Sequence, residues 1–407
     1  MGPEPNRCPV VSLSLRERVG VNEDALSLRE RAGVRGGATL TSLFFLLALL
    51  GCSKPKPAEF VLNLEGRDPA QIKLSQSQAV AETLARLFGT PDQPELPEGV
   101  NLDLDLLAAA AGAVAGDAQG NQRGLFRRHC AGCHGLSGDG AGPAAGALDP
   151  YPRDYRDGIF KFTSTSSGAK PCWKDLERVL LRGIPGTAMP SFVQLPRHEI
   201  KALIEYVKCL SIRGQTELTL LQLVVDENEP VPLDMELAMK EAVMPAAESW
   251  DAPEKQGLIV SPPRKPPLDA AEALAASVAR GREVYLKKDA QCFKCHGPEG
   301  AGDGEETELY DDWNKRKKGV TPEQTAKLAR RFTLPIQRLR ARNFQRGIFL
   351  GGSGPEDLYW RICVGIKGTP MPAAGPAPGS SGALSAEEIW PLVDYVRWLA
   401  WPTESGE

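Results

Sequence analysis

The chain has 407 residues, of which 42% are hydrophobic and 25% charged, with a formal net charge of -4. That length exceeds what one core usually organises, so two domains with connectors are expected. The composition is globular, and the near balance of charge excludes an overall pull toward nucleic acid.

In chain order, SLSLRERVGV at 12–21 returns as ALSLRERAGV at 25–34. The repeat is too short to bury a core, so residues 1 to about 35 are expected to be a poorly structured leader, consistent with an upstream start codon. Arg31 and Arg35 then precede an apolar run from Leu43 to Leu50 and the tetrapeptide Leu49-Leu50-Gly51-Cys52. Charged, apolar and small residues in that order make a secretory signal peptide, and the apolar run is too short for a permanent span. The tetrapeptide resembles a bacterial lipobox, whose Cys is lipidated and becomes the mature N-terminus. An uncleaved anchor ending in Cys is the alternative. Both readings of 1–52 place the rest of the chain outside the cytoplasm, tethered to a membrane.

Residues 53–119 read as a Lys/Pro tether and N-terminal extension, with a helix expected over Ala79 to Phe88. From there the chain reads as a duplication. RDYRDGIF at 153–160 pairs with RNFQRGIF at 342–349, and Gly186-Thr187-Ala188-Met189-Pro190 with Gly368-Thr369-Pro370-Met371-Pro372. Each half closes on an amphipathic helix: Ile200, Leu203, Ile204 and Val207 in the first, Ile389, Leu392, Val393 and Val396 in the second. Pro196 suits the first turn of one helix, and Ser385 with Glu388 forms a capping box for the other. The first domain is placed at 120–214 and the second at 271–401. Between them, 215–269 hold eleven acids against four bases and many prolines, so 215–270 is expected to be an extended acidic linker. A basic insertion at 305–346, with eleven bases against six acids, reads either as a solvated helix face or as a docking surface for an acidic redox partner or lipid headgroups.

Each half also carries one CxxCH: Cys130-Ala-Gly-Cys133-His134 and Cys292-Phe-Lys-Cys295-His296. A structural zinc site needs two CxxC pairs within a few tens of residues, and these pairs lie too far apart. A redox CxxC belongs at a strand-to-helix junction, and no convincing strand pattern is present. C-x-x-C-H is the attachment signature of a c-type haem. Two thiols one helical turn apart add to the porphyrin vinyl groups, and the following His coordinates the iron. Export agrees, because an oxidising compartment would otherwise pair these thiols.

With those motifs in place, each half resembles the class I cytochrome c family, over roughly 120–212 and 271–401. The resemblance implies an all-α fold of two tandem domains joined by the acidic Pro-containing linker, with a haem in a crevice of each, hence two covalently bound haem c (iron). It implies that Cys130, Cys133 and His134 serve one haem and Cys292, Cys295 and His296 the other, with Met189 and Met371 as sixth ligands. Both methionines sit in Gly-Thr-x-Met-Pro loops rather than on apolar helix faces, and of the six in the chain Met235, Met239 and Met244 lie in the linker. His198, at the start of a helix beside Glu199, reads as an exposed polar residue. A His/Met pair raises the potential and closes the iron to substrate.

In the same family a Gly and an aromatic precede the haem motif; Gly281 and Tyr285 suit this in the second half, and Phe126 with Gly120 or Gly124 in the first. A Pro carbonyl commonly takes the proximal His proton, for which Pro143 is the candidate. GDGAGP and GAGDGEE read as tight turns against a haem edge rather than phosphate loops. Cys172 and Cys209 are either bridged or separate buried thiols, and Cys363 has no evident partner.

The function expected is a dihaem c-type cytochrome relaying single electrons in an extracytoplasmic, membrane-associated respiratory chain. Its partners would be a redox protein donor and acceptor and, through a lipidated Cys52, the membrane, with no nucleic acid. The alternatives are a dihaem peroxidase or other haem oxidoreductase, which needs an open iron, and a cytochrome subunit of an oxidase or dehydrogenase complex.

Overall fold

The computed structural model describes residues 57–63, 67, 72–118, 120–268, 270–315, 321–323 and 334–402. The leader, the signal-like stretch with Cys52, and part of the basic insertion lie outside the described residues. Among the described residues the architecture is all-α apart from two small two-stranded sheets, and no helix is long and apolar enough to cross a membrane.

The first half is built on α6, Arg197–Leu221, because its apolar stripe at i, i+3, i+4 and i+7 is continuous. Ile200, Leu203, Ile204 and Val207 are all buried, each fully buried aliphatic side chain contributing roughly 1.5–3 kcal/mol. Against it lie α1 (Leu74–Phe88) and α2 (Leu104–Ala110). Asp103 starts α2 by accepting the Leu106 N–H at 3.1 Å. The sheet β1 (Ala115–Gly116) with β2 (Gln122–Arg123) then leads into α3 (Leu125–His129) and α4 (Ala131–His134), and α5 (Trp173–Arg182) completes the half.

In the second half α9 (Ala271–Tyr285) crosses α12 (Ala386–Ala400) in direct contact, since Gly281 leaves no room for a Cβ against the Pro391 carbonyl. Ile389, Leu392, Val393 and Val396 are buried on α12, and Glu388 accepts the Ser385 N–H at 2.9 Å at its start. Between these helices come α10 (Cys292–His296), the antiparallel pair β3 (Leu309–Tyr310) and β4 (Arg338–Leu339), and α11 (Pro355–Val364).

The segment expected to be an extended linker is helical and packed. α6 runs on to Leu221 and a further π turn, followed by α7 (Met235–Ala238) and α8 (Met244–Lys255). Leu220, Leu221, Val224, Leu233, Ala246 and Trp250 are buried in the first half's core. Of the prolines, Pro245 sits in the first turn of α8 and Pro230 and Pro232 in the bend before α7, while Pro253 lies inside the last turn of α8. The extended stretch is 258–268, and it is pinned on both sides. Val260 N–H donates to Ser164 O at 2.8 Å, while the Trp360 and Trp390 indoles donate to Val260 O (2.8 Å) and Pro263 O (3.0 Å).

The halves pack reciprocally. A Cβ on Gly186, in the first Gly-Thr-x-Met-Pro loop, would meet Ile348 at 2.8 Å; one on Gly368, in the second loop, would meet Ile159 at 2.9 Å. Ile159 and Ile348 are the same position of the repeat, so the interface is isologous, with a pseudo-two-fold axis. Arg182 with Asp357 (3.2 Å), Lys161 with Asp311 (2.9 Å) and Arg178 over the Trp360 ring (4.5 Å) also join the halves.

Candidate cofactor clefts

In the first half, α3 and α4 form one turn after another, so Cys130, Cys133 and His134 fall on one wall of a cleft of about 1130 Å³, its open mouth included. Ile184, Thr187, Met189 and Phe192 line the same cleft, and Leu350 of the second half reaches it as well. The expected first set of residues is thus brought together around one space.

The imidazole of His134 is fixed on both faces of its role. Its Nδ1–H donates to Arg153 O at 3.0 Å, which leaves Nε2 as the nitrogen with a free lone pair. Tyr155 stacks on the ring at 4.6 Å and 16°. Burial lowers the His134 pKa to about 4, so the ring is a neutral donor at working pH. The second half repeats this. His296 Nδ1–H donates to Arg342 O at 3.0 Å, Phe344 stacks on it at 4.5 Å and 24°, and burial lowers its pKa. Burial also pushes Cys130 to about 12 and Cys292 to about 11, holding both as neutral thiols.

The methionine loops share one hydrogen-bond pattern. Thr187 Oγ1–H donates to Ile184 O (2.8 Å) and accepts from Met189 N–H (3.1 Å), while Ile184 N–H donates to Met189 O (3.1 Å). Thr369, Ile366 and Met371 make the same three bonds at 2.7, 3.2 and 3.1 Å. In each loop the threonine closes the turn and fixes the methionine backbone. A glycine is needed at its base: Gly183 and Gly365 hold φ +65 and +72, and a Cβ on either would meet the Met189 or Met371 carbonyl oxygen at 2.8 Å.

Three expectations need correction or completion. The carbonyl on the proximal His belongs to Arg153, not Pro143, because the chain returns to His134 only after the 3₁₀ turn Ala145–Ala147. Cys172 and Cys209 are separate buried thiols, with Cys172 Sγ beside Ser164 Oγ at 3.6 Å. In the first half neither candidate glycine plays the part of Gly281; α2 and α3 divide the role of α9, and Gly124 instead turns at φ +69 against Ala113. Tyr155, Phe344 and the carbonyls of Arg153 and Arg342 were missed. Their signal lay in the repeated RDYRDGIF and RNFQRGIF, which the sequence reading used only as evidence of duplication.

The cytochrome c family model matches residues 121–211 and 278–400. This covers more than half of the chain, which belongs to the cytochrome c family. Membership implies covalently bound haem c and marks the chain as a haem c-type electron-transfer protein. Among solved structures the chain is similar to a chain of the Kuenenia stuttgartiensis reducing HAO-like protein complex Kustc0457/Kustc0458, at 25% identity over 68% of this chain and 94% of that one, with a TM-score of 0.45. No curated protein matches it.

The residues of the first cleft fit such a group. Two thiols, an imidazole and a thioether line one space, and half-buried Arg153 on the same cleft has its Nη2 buried without a partner, a donor suited to an anionic oxygen.

Proposed function

We propose that the chain holds two haems and passes single electrons from one to the other across the interface between its halves. Cys130 and Cys133 anchor one haem c and Cys292 and Cys295 the other; His134 and Met189 close one iron, His296 and Met371 the second. The haem supplies one-electron Fe(III)/Fe(II) chemistry. The chain supplies the rest. The Arg153 and Arg342 carbonyls orient the imidazoles, Tyr155 and Phe344 hold them flat, and the threonine-closed loops present the thioethers.

The observation that carries this reading is the reciprocal packing of Gly186 on Ile348 and Gly368 on Ile159. It sets each methionine loop against the other half, so both loops that present a thioether meet at the same interface. The signal-like order of 31–52 supports an extracytoplasmic chain tethered through a lipidated Cys52, with a donor and an acceptor protein as partners. Beyond the tether, Ala58, Val61 and Asn63 are bonded to Asp92, Ser137 and Glu217 of the first half.

The test is a haem count per chain with oxidised and reduced spectra of the loaded protein, extended to the weak sulfur-to-iron band in the near infrared. Two haems with a full methionine band are expected. One haem, a high-spin fraction, or carbon monoxide binding to the reduced form would overturn the closed two-site relay.

A further inference from the structure

The basic insertion of the second half is not a free surface where it is described; it lies along the rim of the first half's cleft. Gln337 accepts the Tyr151 N–H at 3.1 Å and its amide donates to Leu148 O at 3.2 Å, and Leu148, Pro150 and Tyr151 line that cleft. Asn314 holds Gln337 in place by accepting its N–H at 2.7 Å. At the next turn, Asp312 N–H donates to Gly368 O at 2.9 Å, which seats the insertion on the second methionine loop. Arg153 lies on the other side of that glycine, its Nη1 at 3.3 Å from where a Gly368 Cβ would be.

This arrangement delivers one buried acid to two half-buried cations of the first cleft. Asp311 is 4% exposed, and its Oδ2 accepts from Lys161 Nζ at 2.9 Å. Lys161 and Arg153 both line the cleft. Of the carboxylates that bear on Arg153, Asp311 acts most strongly, ahead of Asp157, Asp154 and Asp312. A buried negative charge at this corner favours the ferric over the ferrous state, and the two cations favour the reverse.

We propose that the described part of the insertion braces the rim of the first half's cleft from outside and that Asp311 on it lowers the midpoint potential of the haem held there. The proposal rests on the two-haem reading. Its consequence is that one half tunes the redox poise of the other through a charge carried across the interface.

The experiment is a potentiometric titration of the haem-loaded full chain, the first half's midpoint being assigned by Met371→Ala, which moves the other. Asp311→Asn is expected to raise the first midpoint by roughly threefold to tenfold in the Fe(III)/Fe(II) equilibrium, tenfold being ~59 mV for one electron. Lys161→Met is expected to lower it by a similar factor, and Asp311→Glu to leave it within about twofold. In all three the second midpoint is expected to move less than the first. Shifts of the same sign in Asp311→Asn and Lys161→Met would mean loosening rather than charge and would overturn the proposal, as would equal shifts at both haems or none. A failure of Asp311→Glu to load two haems would overturn it as well. Failure of the two-haem reading is separate, since it shows in the unmodified chain as a missing haem or methionine band.

Discussion

Phe162 packs on Gly351, its own counterpart in the repeat: a Cβ at 351 would meet Phe162 Cγ at 2.5 Å. A contact between equivalent positions lies on the pseudo-two-fold axis, where two large side chains cannot both fit. Gly351 also holds φ +80, which a side chain resists. Gly351→Leu is therefore expected to weaken docking of the halves by roughly 2–4 kcal/mol, from overpacking and backbone strain together. The check is thermal unfolding with small-angle scattering. A lower melting temperature with a larger radius of gyration is expected, and an unchanged radius would show that docking does not depend on this contact.

Met189→Ala and Met371→Ala should each remove the sulfur-to-iron band of one haem and lower its midpoint, leaving the other in place. The loop bonds of Thr187 and Thr369 involve only backbone groups and the threonine hydroxyl, so the loops are expected to keep their shape. Each variant is read by near-infrared absorption beside potentiometry. A full band retained by either variant would remove that methionine from the ligand set.

The pH dependence of docking follows from two lysines at the interface. Lys367 of the second half donates to Thr165 Oγ1 at 2.6 Å and Ala169 O at 2.7 Å, and Lys170 donates to Gly158 O at 2.9 Å. Burial lowers both from the ordinary 10.5 to about 8. At these two groups the unfolded chain binds more protons than the folded one between those values, so they add stability as pH rises from about 8 to 10.5. The buried thiols of Cys209 and Cys363, raised to about 12 and about 11, act in the opposite direction, so the lysine contribution is read as a difference: across that window Lys367→Met should gain less in melting temperature, or lose more, than the parent. An unchanged slope in the variant would refute this origin.

How much of this was legible beforehand depends on the physics of each element. The cofactor motifs, the methionine loops and the closing helices are set by short-range spacing, and the stripes of Ile200 to Val207 and Ile389 to Val396 are buried as their periodicity requires. Residues 215–255 misled because most of their acids occupy the outer face, Glu217 excepted, while Leu220, Leu221, Val224 and Trp250 face the core; net charge averages over faces that folding separates. The partners of His134 and His296 lie 19 and 46 residues along the chain, and such distances are fixed by tertiary closure rather than local pattern. The reciprocal interface was legible only in part. Repeats announce two equivalent domains, but the contact between them depends on which faces remain apolar once each has closed.

The segment that follows the tether is held by a buried ion pair, and this sets the last expectation. Arg213 donates to Glu217 at 2.8 Å, Glu217 also accepts the Asn63 N–H, and the Arg213 guanidinium lies over the Phe60 ring at 4.0 Å. Glu217 is fully buried and Arg213 is 5% exposed. Glu217→Ala leaves that arginine without its counter-charge in a dry site and is expected to cost about 3–5 kcal/mol. Pairing it with Arg213→Met, which removes the orphaned charge while keeping apolar volume, should recover most of the loss. Hydrogen exchange at Asn63 and Val61 should rise in both variants, because their strap has lost its anchor, whereas stability returns only in the double variant. A double variant no more stable than Glu217→Ala would mean that packing around Phe60, rather than the buried charge, dominates here.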